Sequence, residues 1–461
     1  MIKEWLALRE KLLFKTPAPT FVQECGVVRK RYVEEFRKAK PERKKEITEI
    51  LSEVSIDMQS YLTRWHLQDP ENPDRLQSEE IRKQAEENYA LLTAWGHEGK
   101  VESVRSAITA INRSNLLKLS QMADRRLTNN RWGNDGATGL TDAIRRGAVL
   151  ATTNPIIVNA VRKEDAAFWD EVRDGLKRAY PDSSPEQRVS LMTMAVVLQN
   201  CREFRPIYAA TKGRYGYVKL QVNPRASRDA TRMAEEAEHL YEKLTSELNG
   251  TPNTVFKIPG TKAGLNAVRR LTSKGIPCTI TVNFSVAQNL AFAEVIEQGC
   301  APLSFLVVMS GRLDDPIRDE LNQLGLADAA EVAKWAGVAV IRRSYDILYR
   351  QRKYKKSAIL TASLRGPWNI EGSITDEEAP IFITCFPDRA MEYDSVERRI
   401  VSHINDKISD ELMTKLMKSR IFRQAYEVEG LTPDRFDAFL PVVATMTAFT
   451  KAYDECLEYN R

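Results

Sequence analysis

Lys257 is the residue whose type and setting most directly suggest chemistry. It stands in Asn253-Thr-Val-Phe-Lys-Ile-Pro-Gly-Thr261, an apolar run that predicts a buried strand. A buried ammonium is costly unless it is paired or neutralised. Desolvation lowers an amine's pKa, and a neutral amine can attack a carbonyl to form a Schiff base. Lys257 is therefore a candidate nucleophile; a structural lysine at a strand end, paired with a carboxylate, is the alternative from this segment alone. The neighbouring segments weigh against that alternative. Strand side chains alternate between faces. In Val218-Lys-Leu-Gln-Val-Asn223 one face is Val218, Leu220 and Val222, and the other is Lys219, Gln221 and Asn223. In Cys278 to Phe284 the faces are Ile280, Val282, Phe284 and Thr279, Thr281, Asn283. If the apolar faces meet surrounding helices, the polar faces point into a shared interior beside Lys257.

The elements that would position these residues follow from the texture of the chain. Residues 1 to 128 are charge-dense, with apolar residues spaced by three and four, as in Lys44-Lys-Glu-Ile-Thr-Glu-Ile-Leu. That predicts a helical N-terminal extension, interrupted at Gln68-Asp-Pro-Glu-Asn-Pro-Asp. Its basic helix faces fit solvated surfaces better than nucleic acid. From about 130, short apolar segments alternate with amphipathic helical ones. Seven such segments start near Val149, Tyr217, Thr254, Cys278, Leu303, Ala358 and Ile381, and a weaker one near Trp132 makes eight. Eight βα units predict an α/β fold, a (β/α)8 TIM barrel over residues 129–390. A doubly wound open sheet is the rival, but no Gly-rich dinucleotide turn follows any segment. Residues 391–461 read as C-terminal helices packing on the barrel, one of them across its mouth.

Composition narrows the class. The chain has 461 residues, 43% hydrophobic and 28% charged, with a formal charge of +5. That balance suits a globular protein acting on small anions, not a nucleic-acid binder. The six cysteines are scattered without a C-x-x-C pair, and the four histidines lack metal-ligand spacing. No metal, no organic cofactor and no disulfide framework is expected. The start Met-Ile-Lys-Glu-Trp-Leu lacks a signal-peptide core, and no run approaches the roughly 18 apolar residues of a membrane span. A cytoplasmic protein with no membrane partner is expected.

Several motifs then resemble the transaldolase family of class I aldolases. They are Ala151-Thr-Thr-Asn-Pro155, Gly216-Tyr-Val-Lys-Leu-Gln-Val-Asn-Pro-Arg-Ala-Ser-Arg-Asp-Ala-Thr, Phe256-Lys-Ile-Pro-Gly-Thr-Lys-Ala-Gly-Leu and Gly275-Ile-Pro-Cys-Thr-Ile-Thr-Val-Asn-Phe-Ser-Val-Ala-Gln. Gly311-Arg-Leu-Asp314 and Ala362-Ser-Leu-Arg365 extend the likeness, which runs from about 130 to 387. Phe204-Arg-Pro-Ile-Tyr-Ala-Ala-Thr-Lys-Gly-Arg is similar to the longer bacterial members; residues 1 to 128 show no such likeness. The resemblance implies a Schiff-base enzyme of the pentose phosphate pathway acting on ketose phosphates. Its lysine falls on Lys257. Its first-strand proton-moving aspartate falls on Asp135, with Asn134 one residue away as the competing alignment. Its water-holding positions fall on Gln221 and Thr281. Its substrate contacts fall on Asn154 with the adjacent Thr153, on Thr279 and Met309, and on Arg312, Ser363 and Arg365 for the phosphate.

Three positions depart from the transaldolase pattern. Gln221 replaces the usual glutamate, and an amide can hold a water but does not readily exchange a proton. Fructose-6-phosphate aldolases, a branch of the same family that releases free dihydroxyacetone, carry glutamine there. Those aldolases have a tyrosine where this chain has Met309, and transaldolases have an asparagine where it has Thr279. The expected function is transfer of a dihydroxyacetone unit from a ketose phosphate to an aldose phosphate. The alternatives are a fructose-6-phosphate-type aldolase and a catalytically weak sugar-phosphate-binding or scaffold protein. The expected partners are small sugar phosphates; the sequence is also compatible with a homo-oligomer.

Overall fold

The computed structural model describes residues 1–461. Eight parallel strands close into a barrel in sequence order. They are β1 Asn130–Asn134, β2 Leu150–Thr152, β3 Tyr217–Gln221 and β4 Thr254–Pro259, then β5 Cys278–Thr281, β6 Ser304–Val308, β7 Ser357–Thr361 and β8 Ile381–Cys385. All eight predicted segments are strands, and the (β/α)8 reading holds. Every strand residue is buried, as in a barrel filled inside and helix-covered outside. The return helices start on polar caps placed just after the strands. Asn154, Asp229, Thr261 and Ser285 each accept a backbone N–H of the first helical turn. Such caps end a strand and aim the chain into a helix within a few residues.

Two strands end sooner than the alternation predicts. β5 stops at Thr281 because Val282 turns to φ +51°. Asn283 then faces outward, its Nδ2 donating to Asn289 Oδ1 at 2.7 Å. β3 stops at Gln221, and Asn223 caps a short turn, accepting from the Arg225 N–H at 2.9 Å. The polar inward faces of these strands are thus one residue shorter than the sequence suggests, without Asn223 and Asn283.

The N-terminal region is helical, as expected, and closes the amino-terminal end of the barrel. Arg131, near the start of β1, donates to Tyr61 Oη at 2.8 Å and to Asp124 at 2.9 Å, and its guanidinium lies over the Trp65 and Tyr215 rings. Arg145, in the first return helix, pairs with fully buried Asp57 at 2.8 Å, and Trp5 Nε1 donates to the same carboxylate at 2.7 Å. The extension therefore shares the barrel's hydrophobic core and lies at the end opposite the carboxyl-terminal loops. At that other end, the helix Leu440–Tyr459 packs on Pro155–Glu164, with Asn159 Nδ2 donating to Ala452 O at 2.8 Å. No helix is long and apolar enough to cross a membrane.

Candidate active site

The strand register sets the site. Gln221, Lys257 and Thr279 are successive partners across β3, β4 and β5. A cavity of 150 Å³ opens among the inward side chains at the carboxyl-terminal ends of the strands. This is where barrel loops gather and where a site belongs. Lys257, Asp135, Thr279, Thr281, Met309 and Arg312 line it, together with Asn154 and Ser363. The sequence reading placed all eight of these in the site.

Lys257 is only 6% exposed. Its Nζ donates to Thr153 O at 2.9 Å and to Thr152 Oγ1 at 3.3 Å, both uncharged partners. Burial lowers its pKa to about 8, against the pull of Asp135 and with help from the positive charge of Arg312. Asp135 is equally buried, and burial raises its carboxyl pKa although Lys257, Lys219 and Arg312 draw it down. An amine and a carboxyl whose pKa values are pushed toward each other suit proton exchange at neutral pH. Asn134, the competing alignment, is turned away: its Nδ2 donates to Gly136 O and Thr138 O at 3.0 Å.

Arg312 makes no ion pair. It stacks against the Phe449 ring at 5.6 Å, and burial, then the charge of Arg365, lowers its pKa. A half-buried guanidinium without a carboxylate partner fits a ligand anion. Its placement depends on Gly311, since a Cβ there would stand 2.3 Å from Ser363 O. The first turn of the helix after β6 and the loop after β7 can touch only because that side chain is absent. Ser363 itself is held at φ +57°, an uncommon conformation for a residue other than glycine.

Three predicted residues stand outside this cavity. Thr153 directs its hydroxyl to Lys219 O at 2.7 Å and offers only its carbonyl to Lys257. Arg365 is drawn to Asp315, with Nη2 to Oδ2 at 2.7 Å and Nε at 3.1 Å. Gln221 lines a small adjoining chamber of 10 Å³ with Asn154, Glu236 and Tyr453. There Gln221 Oε1 and Tyr453 Oη have no hydrogen-bond partner, and the volume is about that of one water sphere. The sequence reading left ten of the cavity's eighteen lining residues without a role, among them Thr152, Phe449 and Lys219. Phe449 comes from the C-terminal helix, far from any motif. Lys219 was legible as an inward residue of β3 but had no assigned task.

The class is that of a closed (β/α)8 barrel with a desolvated amine, a facing carboxyl and an unpaired arginine gathered at its carboxyl-terminal end. Residues 139–427 match the sequence profile of the family described as Transaldolase/Fructose-6-phosphate aldolase, and the chain belongs to that family. It is 35% identical over 162 residues to a transaldolase of Neisseria meningitidis serogroup A, covering 35% of this chain and 44% of that protein. It is 26% identical over 279 residues to a transaldolase of Arthrobacter sp. strain FB24, covering 58% of this chain and 71% of that one. To transaldolase 1 of Streptomyces avermitilis it is 30% identical over 215 residues, covering 43% and 53%. The matched region thus spans about half the length of curated relatives such as these.

Proposed function

We propose that the chain is a transaldolase-like enzyme that forms a Schiff base on Lys257 and transfers a dihydroxyacetone unit from a ketose phosphate, such as fructose 6-phosphate, to an aldose phosphate. The observation that carries this is the Lys257 amine, buried among uncharged oxygens and lowered to about 8. Its lone pair adds to the ketose carbonyl, and loss of water leaves a protonated imine. Asp135 takes the proton of the hydroxyl on the carbon beyond the scissile bond. That bond's electron pair flows into the imine, and the aldose phosphate departs. Arg312 and Ser363 receive the phosphate, with Arg365 joining once it exchanges Asp315 for the substrate. Thr281 holds the water of imine formation and hydrolysis, Gln221 holds a water in the adjoining chamber, and Thr279, Met309 and Asn154 shape the sugar pocket. No metal or organic cofactor is needed for these steps. Residues 129–390 supply them, residues 1–128 brace the barrel, and residues 391–461 supply Phe449. Six free thiols agree with action in the cytoplasm.

The test is reductive trapping with fructose 6-phosphate and borohydride, read by intact mass and peptide mapping. An adduct on Lys257 is expected; none across a panel of ketose phosphates would end the proposal. A second reading is favoured by Gln221, which cannot relay a proton as a carboxylate does: aldolase action with release of free dihydroxyacetone. Turnover that requires added erythrose 4-phosphate supports transfer, and dihydroxyacetone released without it supports the aldolase.

A further inference from the structure

The cavity holds a second buried amine. Lys219 is 1% exposed and lines the same 150 Å³ space as Lys257 and Asp135. Its Nζ has no hydrogen-bond partner in the protein and sits 4.1 Å from the centre of the Phe305 ring. In the barrel register Lys219 is the partner of Thr152, whose hydroxyl is also a contact of Lys257 Nζ. The register thus sets the Lys219 backbone beside the threonine that the Lys257 amine contacts. An unpaired ammonium buried here would be costly, and a ring face returns only part of that cost. The charged groups facing it are Lys257, Asp135 and, beyond them, Arg312. One carboxyl cannot balance three cations, so the economical state is a neutral Lys219 with a free lone pair. Burial first, then the charge of Lys257, pushes its pKa in that direction, against Asp135.

Building on the Schiff-base reading above, we infer that Lys219 is the proton-transfer base of imine formation, doing the work that an amide at Gln221 cannot do. The lone pair of Lys257 forms the C–N bond, and the carbonyl π pair moves to oxygen, which takes the proton of the Asp135 carboxylic acid. Lys219 removes one proton from the now cationic nitrogen and becomes an ammonium. The nitrogen lone pair then expels the hydroxyl, which leaves as water with the proton of Lys219. The products are a protonated imine, water, a neutral Lys219 and an Asp135 carboxylate. That carboxylate is the form the following carbon–carbon cleavage requires. Lys219 lines the cavity that also holds the Lys257 amine, so in these steps it exchanges protons with the reacting groups directly and not through another side chain.

The experiment compares wild type, Lys219→Met and Lys219→Gln by single-turnover borohydride trapping with fructose 6-phosphate, with the adduct mapped by mass. Removing an unpaired buried amine does not remove a native hydrogen bond, and the glutamine variant keeps a donor but no basic nitrogen; thermal melts check both folds. The expected result is an adduct on Lys257 in all three proteins, formed roughly 100-fold or more slowly in both variants. Added methylamine or ethylamine restores the rate, and the wild-type rate depends on two deprotonations where each variant depends on one. Trapping in folded variants within about threefold of wild type, a loss that no small amine rescues, or an adduct on Lys219 itself would overturn the assignment of Lys219 alone. Loss of folding in both variants would also overturn it, by giving the amine a structural role. No adduct in wild type would overturn the Schiff-base reading itself.

Discussion

Replacing Lys257 by Met should stabilise the folded protein at pH 7, by an amount that shrinks as the pH rises. The amine titrates at about 8 when folded and at its ordinary 10.5 when unfolded. The unfolded chain therefore holds the proton more tightly, and protonation favours unfolding. This penalty is absent above 10.5, grows as the pH falls through the window, and is complete below about 8. At about 1.4 kcal/mol per pH unit it reaches about 3 kcal/mol at pH 7 and about 1 kcal/mol at pH 10. The methionine also leaves Thr153 O without its donor, a pH-independent loss of about 1 kcal/mol. The net expectation is a gain of about 2 kcal/mol at pH 7 that vanishes near pH 10. Urea unfolding of both proteins at matched pH values measures it; titrating groups away from the site cancel in the comparison, while Asp135, which Lys257 draws down, is pushed further up in the variant. A difference that stays flat from pH 7 to 10 would refute the claim that Lys257 is a desolvated, weakly basic amine. It would remove the physical ground for its nucleophilicity, whatever the packing cost of methionine.

Asp135→Asn should lower cleavage by roughly 10²- to 10⁴-fold while leaving the Lys257 adduct trappable. The trapping rate in wild type should rise with pH to a midpoint near 8, and the variant's midpoint should fall, because Asp135 holds the amine's pKa up; a rise would contradict the assigned pairing. Arg312→Met should raise KM for a phosphorylated ketose by roughly 10- to 100-fold, and leave the weak reaction with the unphosphorylated sugar unchanged in steady-state kinetics. Gly311→Ala forces a carbon to 2.3 Å from Ser363 O, and should cost about 1–3 kcal/mol in chemical denaturation with a matching loss of phosphate affinity.

The barrel was legible because its signals are local. Each strand is a short apolar run, and caps such as Thr261 and Ser285 follow within a few residues. The inward faces of β3, β4 and β5 were legible for the same reason, since period-two alternation needs no tertiary information. It failed where the backbone leaves the extended region. Val282 at φ +51° ends β5, and nothing in its side chain announces that conformation. The choice of Asp135 over Asn134 needed the fold, because a one-residue shift changes which side chain enters the barrel. Phe449 was invisible for a different reason. It reaches the cavity from the C-terminal helix Leu440–Tyr459, and pattern along the chain does not encode which helix covers which mouth. Lys219 was visible as a position and lacked only a task, which came from its having no partner.

The two arginines of the motif have become different objects. Arg312 lines the cavity without a carboxylate, whereas Arg365 is held at Asp315 by three guanidinium contacts. Both members of that pair are more than a third exposed, so the bond is worth only about 0–1 kcal/mol and a phosphate dianion can displace it. On the proposed function, substrate entry would swap one anion for another around Arg365, with Asp315 as the stand-in that joins the helix after β6 to the loop after β7. Asp315→Asn removes the competitor without touching the arginine. If Arg365 reaches the phosphate, KM should fall by roughly twofold to fivefold, the equivalent of about 0.5–1 kcal/mol, with kcat little changed. An unchanged KM in a folded variant would leave Arg365 as a brace between loops, and the phosphate would belong to Arg312 and Ser363 alone.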